Sequence, residues 1–279
     1  HEVTLAISRR PGAPHAVRMV SLTTRAQAAE KDNTSASASL PQSKEEALEQ
    51  VRSAIENAVT PKQQNRSARR KKTKDKRINT RVAVEVPLAQ ETPKEEADLA
   101  LSVLRNVEGT VGLLFGNRAA ADLTLKSSDA GLVVGCLDDN VKNVSLDLLV
   151  FVGANQGQIK KLKEWSNRHP KCPTVLINAQ WDPESLQGID ASFFKTFEVV
   201  YSFTPLAIQG FMGSKKEGVI FRWVESGSPT DTPWRIIMEN EVVAQMKTRP
   251  TPKQLEDALY SAAAKDSAMV QAASAFRGL

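Results

Sequence analysis

Three short apolar runs constrain this chain most: TVGLLF at 110–115, LDLLVFVGA at 146–154 and PTVLIN at 173–178. Each is strand-sized, and none alternates polar with apolar residues as a strand with one wet face would. A strand that is apolar on both sides must be covered on both sides. The segments between the runs carry helical spacing, so they predict a mostly parallel sheet with helices packed on both faces. The fold class is therefore α/β, with a Rossmann-like layered core.

The flanking segments fit that plan. PQSKEEALEQVRSAIENAV, 41–59, predicts a helix: Ser43 and Glu46 are placed as a capping box, and Ala47, Leu48, Val51, Ala54, Ile55 and Val59 share one face. RVAVEVPL, 81–88, alternates and reads as the first strand, and Thr92 before Pro93 starts a helix over 92–107. A short helix over 117–125, a strand at GLVVGCL and a helix at NQGQIKKLKEWSNRH, with Ile159, Leu162 and Trp165 inward, complete the alternation. Beyond Asp190 the pattern changes. FKTFEVVYSFTPL, GVIFRWVES, PWRIIMENE and VVAQMK read as strands joined by turn-length segments, an antiparallel meander extending one edge of the sheet. Trp223 and Trp234 fall in those strands as packing residues. A last helix starts at Thr251–Pro252 and frays in its Ala-rich end, so a single α/β domain is expected over 40–264, with tail residues at 265–279.

Charge is distributed unevenly. NRSARRKKTKDKR, 65–77, holds eight Lys or Arg in thirteen positions. From Lys62 to Arg81 there are ten Lys or Arg and one Asp, a local +9, so with a net charge of +5 the remaining residues sum to −4. The segment has no apolar periodicity and reads as a loop inserted between the first helix and the first strand. Arg69, Arg70, Lys71, Lys72, Lys74, Lys76 and Arg77 are its anion-binding candidates. Contact with RNA or with anionic lipid would be electrostatic, because no Phe, Tyr or Trp lies between Lys62 and Arg81 to stack a base. Residues 1–39, rich in Ser, Thr, Ala and Arg and with Glu2 the sole acid before Glu30, have the composition of a chloroplast transit peptide or of a disordered tail.

Catalytic signatures are sparse. There is no GxGxxG, no P-loop and no nucleophile elbow, and PLAQETPKE after the first strand offers no glycine to a phosphate. Cys136 and Cys172 form no ligand spacing and read as structural; with His1, His15 and His169 scattered, neither a metal nor a cofactor is expected. VGANQGQ, 152–158, is a strand-to-helix turn that either holds an anion or uses Gly153 and Gly157 to turn tightly. Asp138 and Asp139 read as a solvated turn. Asn178, Gln180, Trp181 and Asp182 collect polar groups at the end of PTVLIN, where α/β sheets place ligands, and form the candidate cleft. Arg249, before the last helix, either joins that cleft toward a partner or pairs internally.

In order and spacing, PQSKEEALEQVRSAI, VAVEVPL, DLLVFVGA, PTVLIN, FKTFEVVYSFTPL and PWRIIMENEVVAQMKTRPTPKQLEDAL resemble the plant and cyanobacterial family called the domain of unknown function 1995, over roughly 41–260. That resemblance implies a chloroplast protein with a non-catalytic binding or assembly role. Family members include proteins of the low-photosystem-II-accumulation type and the tail region of a plastid adenylate kinase. Protein partners at the thylakoid surface or in the stroma follow from it; the alternative is plastid nucleic-acid binding through 62–81. The family supplies no catalytic residues to carry over, and its first helix is expected to reach VAVEVPL by a shorter connection than the one present here.

Overall fold

A computed structural model describes residues 40–59, 80–128, 131–139, 144–181, 188–209, 215–226 and 228–266. The tail at 1–39, the basic candidates from Arg69 to Arg77, Asp182 and residues 267–279 lie outside the described residues.

Among the described residues the elements run α1 (Lys44–Val59), β1 (Arg81–Glu85), α2 (Pro93–Val103), β2 (Val111–Phe115), α3 (Arg118–Ser127), β3 (Leu132–Cys136), β4 (Leu148–Val152), α4 (Ile159–Arg168), β5 (Thr174–Ile177), α5 (Gly188–Phe194), β6 (Glu198–Gln209), β7 (Lys215–Trp223), β8 (Trp234–Met238), β9 (Glu241–Met246) and α6 (Pro252–Asp266). The strands form one sheet in the order β3-β2-β4-β5-β1-β6-β7-β8-β9. From β3 to β6 every pairing is parallel, and from β6 to β9 every pairing is antiparallel. The α/β reading and the meander both hold, with β6 belonging to both halves: it pairs parallel with β1 on one side and antiparallel with β7 on the other.

The apolar runs behave as their composition demands. Every residue of β2, β4 and β5 is buried. On one face, α1, α2 and α3 pack Val51, Leu99, Ala100 and Ala120 against Val84, Leu113, Val150 and Val175. On the other, α4 and α5 pack against Leu114, Leu149, Phe151 and Leu176. Burying one such Leu or Phe contributes about 1.5–3 kcal/mol, so these layers carry the fold. A third cluster joins Leu255 and Leu259 of α6 to Ile220, Trp234 and Ile236 of the meander.

Local signals set the element ends. Thr92 accepts from the Glu95 N–H, and Asn117 from the Ala119 N–H. At α1, Ser43 Oγ accepts from the Glu46 N–H at 3.1 Å, while the Glu46 carboxylate reaches past the cap to the Gln42 N–H at 2.7 Å, so the box closes one residue early. The β8–β9 hairpin turns through Glu239 and Asn240, both with positive φ (48° and 70°), the pairing that matches strand twist in a two-residue loop.

Two expectations change. Phe194 to Phe197, read as the start of a strand, form the end of α5 and the turn after it; Phe193 and Phe197 stack edge to face at 5.4 Å, so aromatic packing rather than a ladder uses these residues. β1, read as an alternating strand, is an interior one, lying between β5 and β6 with Val82, Ala83 and Val84 all buried.

Candidate functional site

The direction in which successive strands are added to the sheet reverses between β2 and β4. β2 leads outward through α3 to the edge strand β3, whereas β4 leads inward through α4 on the opposite face, so loops leave these neighbouring strands in opposite directions. That divergence at the carboxyl ends of parallel strands is where such sheets open a crevice. Here the backbone closes it. Gly116 N–H donates to Val152 O (2.8 Å), Gly153 N–H to Ile177 O (3.0 Å), Asn178 N–H to Val84 O (2.9 Å) and Gln180 N–H to Ala154 O (2.8 Å).

Side chains fill what remains. Gln158, 8% exposed, accepts from the Asn155 N–H (3.2 Å) and donates to Gly116 O (3.0 Å) and Asp138 Oδ2 (3.2 Å). Gly153 has φ +60°, and a Cβ there would stand 2.9 Å from Glu96 Oε1. Gly116 is tighter still: its missing Cβ would run into the Gly153 carbonyl oxygen. The glycine-bearing turn at 152–158 thus makes room for a carboxylate of this chain, and within it the Asn155 N–H is taken by the Gln158 side chain and the Gln158 N–H by the Asn155 carbonyl. An external anion would have to meet Glu96 at close range.

Glu96 comes from the inward side of α2 and is 5% exposed. Gln180 Nε2 donates to its Oε1 at 3.1 Å, and its buried Oε2 has no hydrogen-bond partner among the described residues. Burial, reinforced by the nearby Glu91 and opposed by the Gln180 bond, pushes this carboxyl above the ordinary carboxylate range. Sequence reasoning missed it, although a signal was present: Glu96 sits in phase with Leu99, Ala100 and Val103 on the buried face of α2.

The predicted cleft residues have definite places. Asn178, at φ +49°, accepts from the Val86 N–H and donates to Val86 O, both at 2.8 Å, so its amide acts as a peptide mimic holding the exit of β1. Arg249 forms a two-pronged pair with Glu85, the preceding residue, at 2.5 and 3.0 Å, and its guanidinium lies 5.2 Å from the Trp234 ring centre. Of its two readings, internal pairing is the one found. Asn178 and Arg249 are thereby brought to consecutive positions of the β1 exit. Trp181 packs edge to face on Phe194 at 5.7 Å. Ser202 donates to Glu85 at 2.7 Å, and Arg222, 5% exposed, pairs with Glu198 at 3.0 Å beside Trp234. Burial lowers the pKa of Arg222, and the Glu198 carboxylate opposes that shift.

At the opposite, amino-terminal edge of the sheet, an open groove of about 410 Å³ runs between Ser145–Asp147 and His169–Cys172. It contains a thiol and an imidazole, but burial, with Asp147 adding to it, pushes Cys172 up to about 11, and Sγ faces Pro173 O at 3.5 Å. His169 stacks on Trp165 at 5.9 Å and is pushed down by burial and by Arg168. A protonated thiol beside a neutral imidazole is a poor nucleophile. Cys136 and Cys172 are both free and buried, as structural cysteines should be. Asp139 is not merely a solvated turn residue: it accepts from the Cys136 N–H at 3.0 Å and pairs with Arg118, which holds its carboxyl below the usual range.

A family model described as "Domain of unknown function (DUF1995)" matches residues 41–257. No curated protein matches the chain, and no solved structure does.

Proposed function

Because the chain belongs to the DUF1995 family, we propose that it works as a non-catalytic auxiliary factor that binds protein partners, of the kind that assists photosystem assembly at the thylakoid surface of the chloroplast. One observation supports this reading above the others. The carboxyl edge of the parallel strands, where an α/β enzyme would hold its substrate, is knitted by the protein's own groups: Asn178 on Val86, Gln158 on Gly116 and Asp138, and Gln180 on Glu96. Polar groups bonded to one another within a sheet rigidify a scaffold; they would have to be unmade before they could bind a reactant. The outer surfaces, rather than a crevice, are then the working parts, and Asn178 and Arg249 of the candidate cleft become the brace that holds them in register.

The test is recovery of the tagged protein from plastids with its partners, with and without nuclease. The expected result is co-recovery of subunits of a thylakoid complex that survives nuclease, together with lowered photosystem content when the protein is lost. A protein found free and monomeric, with photosystem content unchanged by its loss, would overturn the proposal. Recovery that collapses on nuclease treatment would replace it with RNA binding through 62–81.

A further inference from the structure

The charge on the folded body is polarised across the sheet. On one face, α1 sets Lys44 and Arg52 against Glu45, Glu46, Glu49 and Glu56, α2 sets Lys94 against Glu95 and Asp98 beside the buried Glu96, and α3 sets Arg118 and Lys126 against Asp122, so the face as a whole is acidic. On the other face, α4 sets Lys160, Lys161, Lys163 and Arg168 against Glu164, and Lys171 follows; Asp190 of α5 pairs with Lys163 at 2.6 Å, which leaves the face basic through Lys160, Arg168, Lys171 and Lys195. Lys160, Arg168 and Lys171 are exposed. The inward residues Ile159, Leu162, Trp165 and Ser166 are buried, so the cations stand on the outer side of a helix whose packing is already satisfied.

This basic side is continuous with the start of the first strand. The Phe193 ring of α5 lies 5.0 Å from the Arg81 guanidinium and 5.5 Å from Lys163 Nζ, which joins α4, α5 and the chain entering β1 at one place. Arg81 also donates to Thr196 at 3.0 Å, next to the exposed Lys195. The sequence leading to Arg81 supplies a further nine Lys or Arg between Lys62 and Arg77.

We propose that the outer side of α4, with Lys171, Lys195 and Arg81, is a docking surface for a membrane carrying anionic lipid. Two features select that partner. The described cations are mostly lysines, which are depleted from protein interfaces and attract a diffuse negative potential as hydrated point charges rather than forking onto a single carboxylate. Bases would need aromatic platforms, and the rings near these cations, Phe193 and Trp165, are packed into the protein. The acidic α1 and α2 on the far face then orient the molecule, turning away from a surface that draws α4 toward it.

This surface rests on the reading of a thylakoid-peripheral factor, but its test is independent of partner recovery. The full chain is floated with vesicles of phosphatidylcholine and phosphatidylglycerol in a two-to-one ratio, and with phosphatidylcholine alone. Flotation is expected with the mixed vesicles only, and raised salt should abolish it. Each cation near such a surface is worth about fivefold in partitioning, so the combined Lys160→Glu, Arg168→Glu and Lys171→Glu variant should bind about a hundredfold more weakly or worse. The combined Lys160→Arg and Lys171→Arg variant should bind like wild type, and Glu45→Lys with Glu49→Lys should bind no less. Circular dichroism confirms that each variant is folded. Absence of flotation, a triple variant that floats as wild type does, or preferential retention on homopolymeric RNA would each overturn the proposal. Any of these would leave the partner-binding reading to its own experiment.

Discussion

The parallel and antiparallel halves of the sheet handle buried polarity in different ways. β2 and β4 are apolar throughout, and around them the polar groups gather at the carboxyl edge as amides and one carboxylate: Gln158 and Asn178 bonded to backbone, and Gln180 bonded to Glu96. From the end of β1 toward the meander, polarity is carried by paired full charges, Glu85 with Arg249 and Glu198 with Arg222, both arginines beside Trp234. The first half is closed by shape, through two glycines that admit no side chain. The second is closed by charge, which tolerates rearrangement but fails when one partner is removed.

That contrast breaks most sharply at Gly116. Gly116→Ala would force Cβ against the Gly153 carbonyl, a backbone atom with nowhere to go, and the loss should exceed about 3 kcal/mol, read as a collapse of the urea midpoint or failure to fold. Arg249→Ala is the matching lesion on the charged side. It leaves Glu85 to Ser202 alone and removes the cation from Trp234, for a loss of about 2 kcal/mol; a double-mutant cycle with Glu85→Gln should recover part of it. Glu96→Gln should be smaller and opposite in sign. The folded chain holds Glu96 protonated to higher pH than the unfolded chain does, so wild type loses stability as pH rises from the ordinary carboxylate range through the raised folded value. The Gln variant lacks that slope, still accepts from Gln180, and should be the more stable at neutral pH. Urea midpoints on either side of the window check this, and a slope unchanged by the substitution would show that Glu96 is not its source. The smallest effect belongs to the outer edge of the meander. Val242, 48% exposed on β9, should accept Lys with a change within about 0.5 kcal/mol by thermal melting.

Legibility followed the same divide. TVGLLF, LDLLVFVGA and PTVLIN announce buried strands because burial on both faces leaves no polar position to confuse the pattern. Glu96 was legible in principle, because helical phase places it with Leu99 and Val103, yet a pair of glutamates after a helix start reads first as favourable charge at the helix amino end. Phe194 and Phe197 misled because aromatic residues favour strands, whereas the seven residues of α5 are too few for helical spacing to outvote them. The pairing of Arg249 with Glu85 spans 164 residues and leaves no local trace. Of the candidate cleft, Asn178 and Trp181 stand just beyond the end of β5, but an Asn that braces backbone and an Asn that greets a ligand are the same letter in sequence.

The place of β1 carries one more consequence. Among the described residues it comes before every other strand, yet its two neighbours, β5 and β6, arrive only roughly 90 to 120 residues later, so its ladder is closed by distant contacts that form slowly. While the chain is being synthesised, Val82 and Val84 emerge with no sheet to receive them, and the centre of the finished sheet remains an open edge until β6 has left the ribosome.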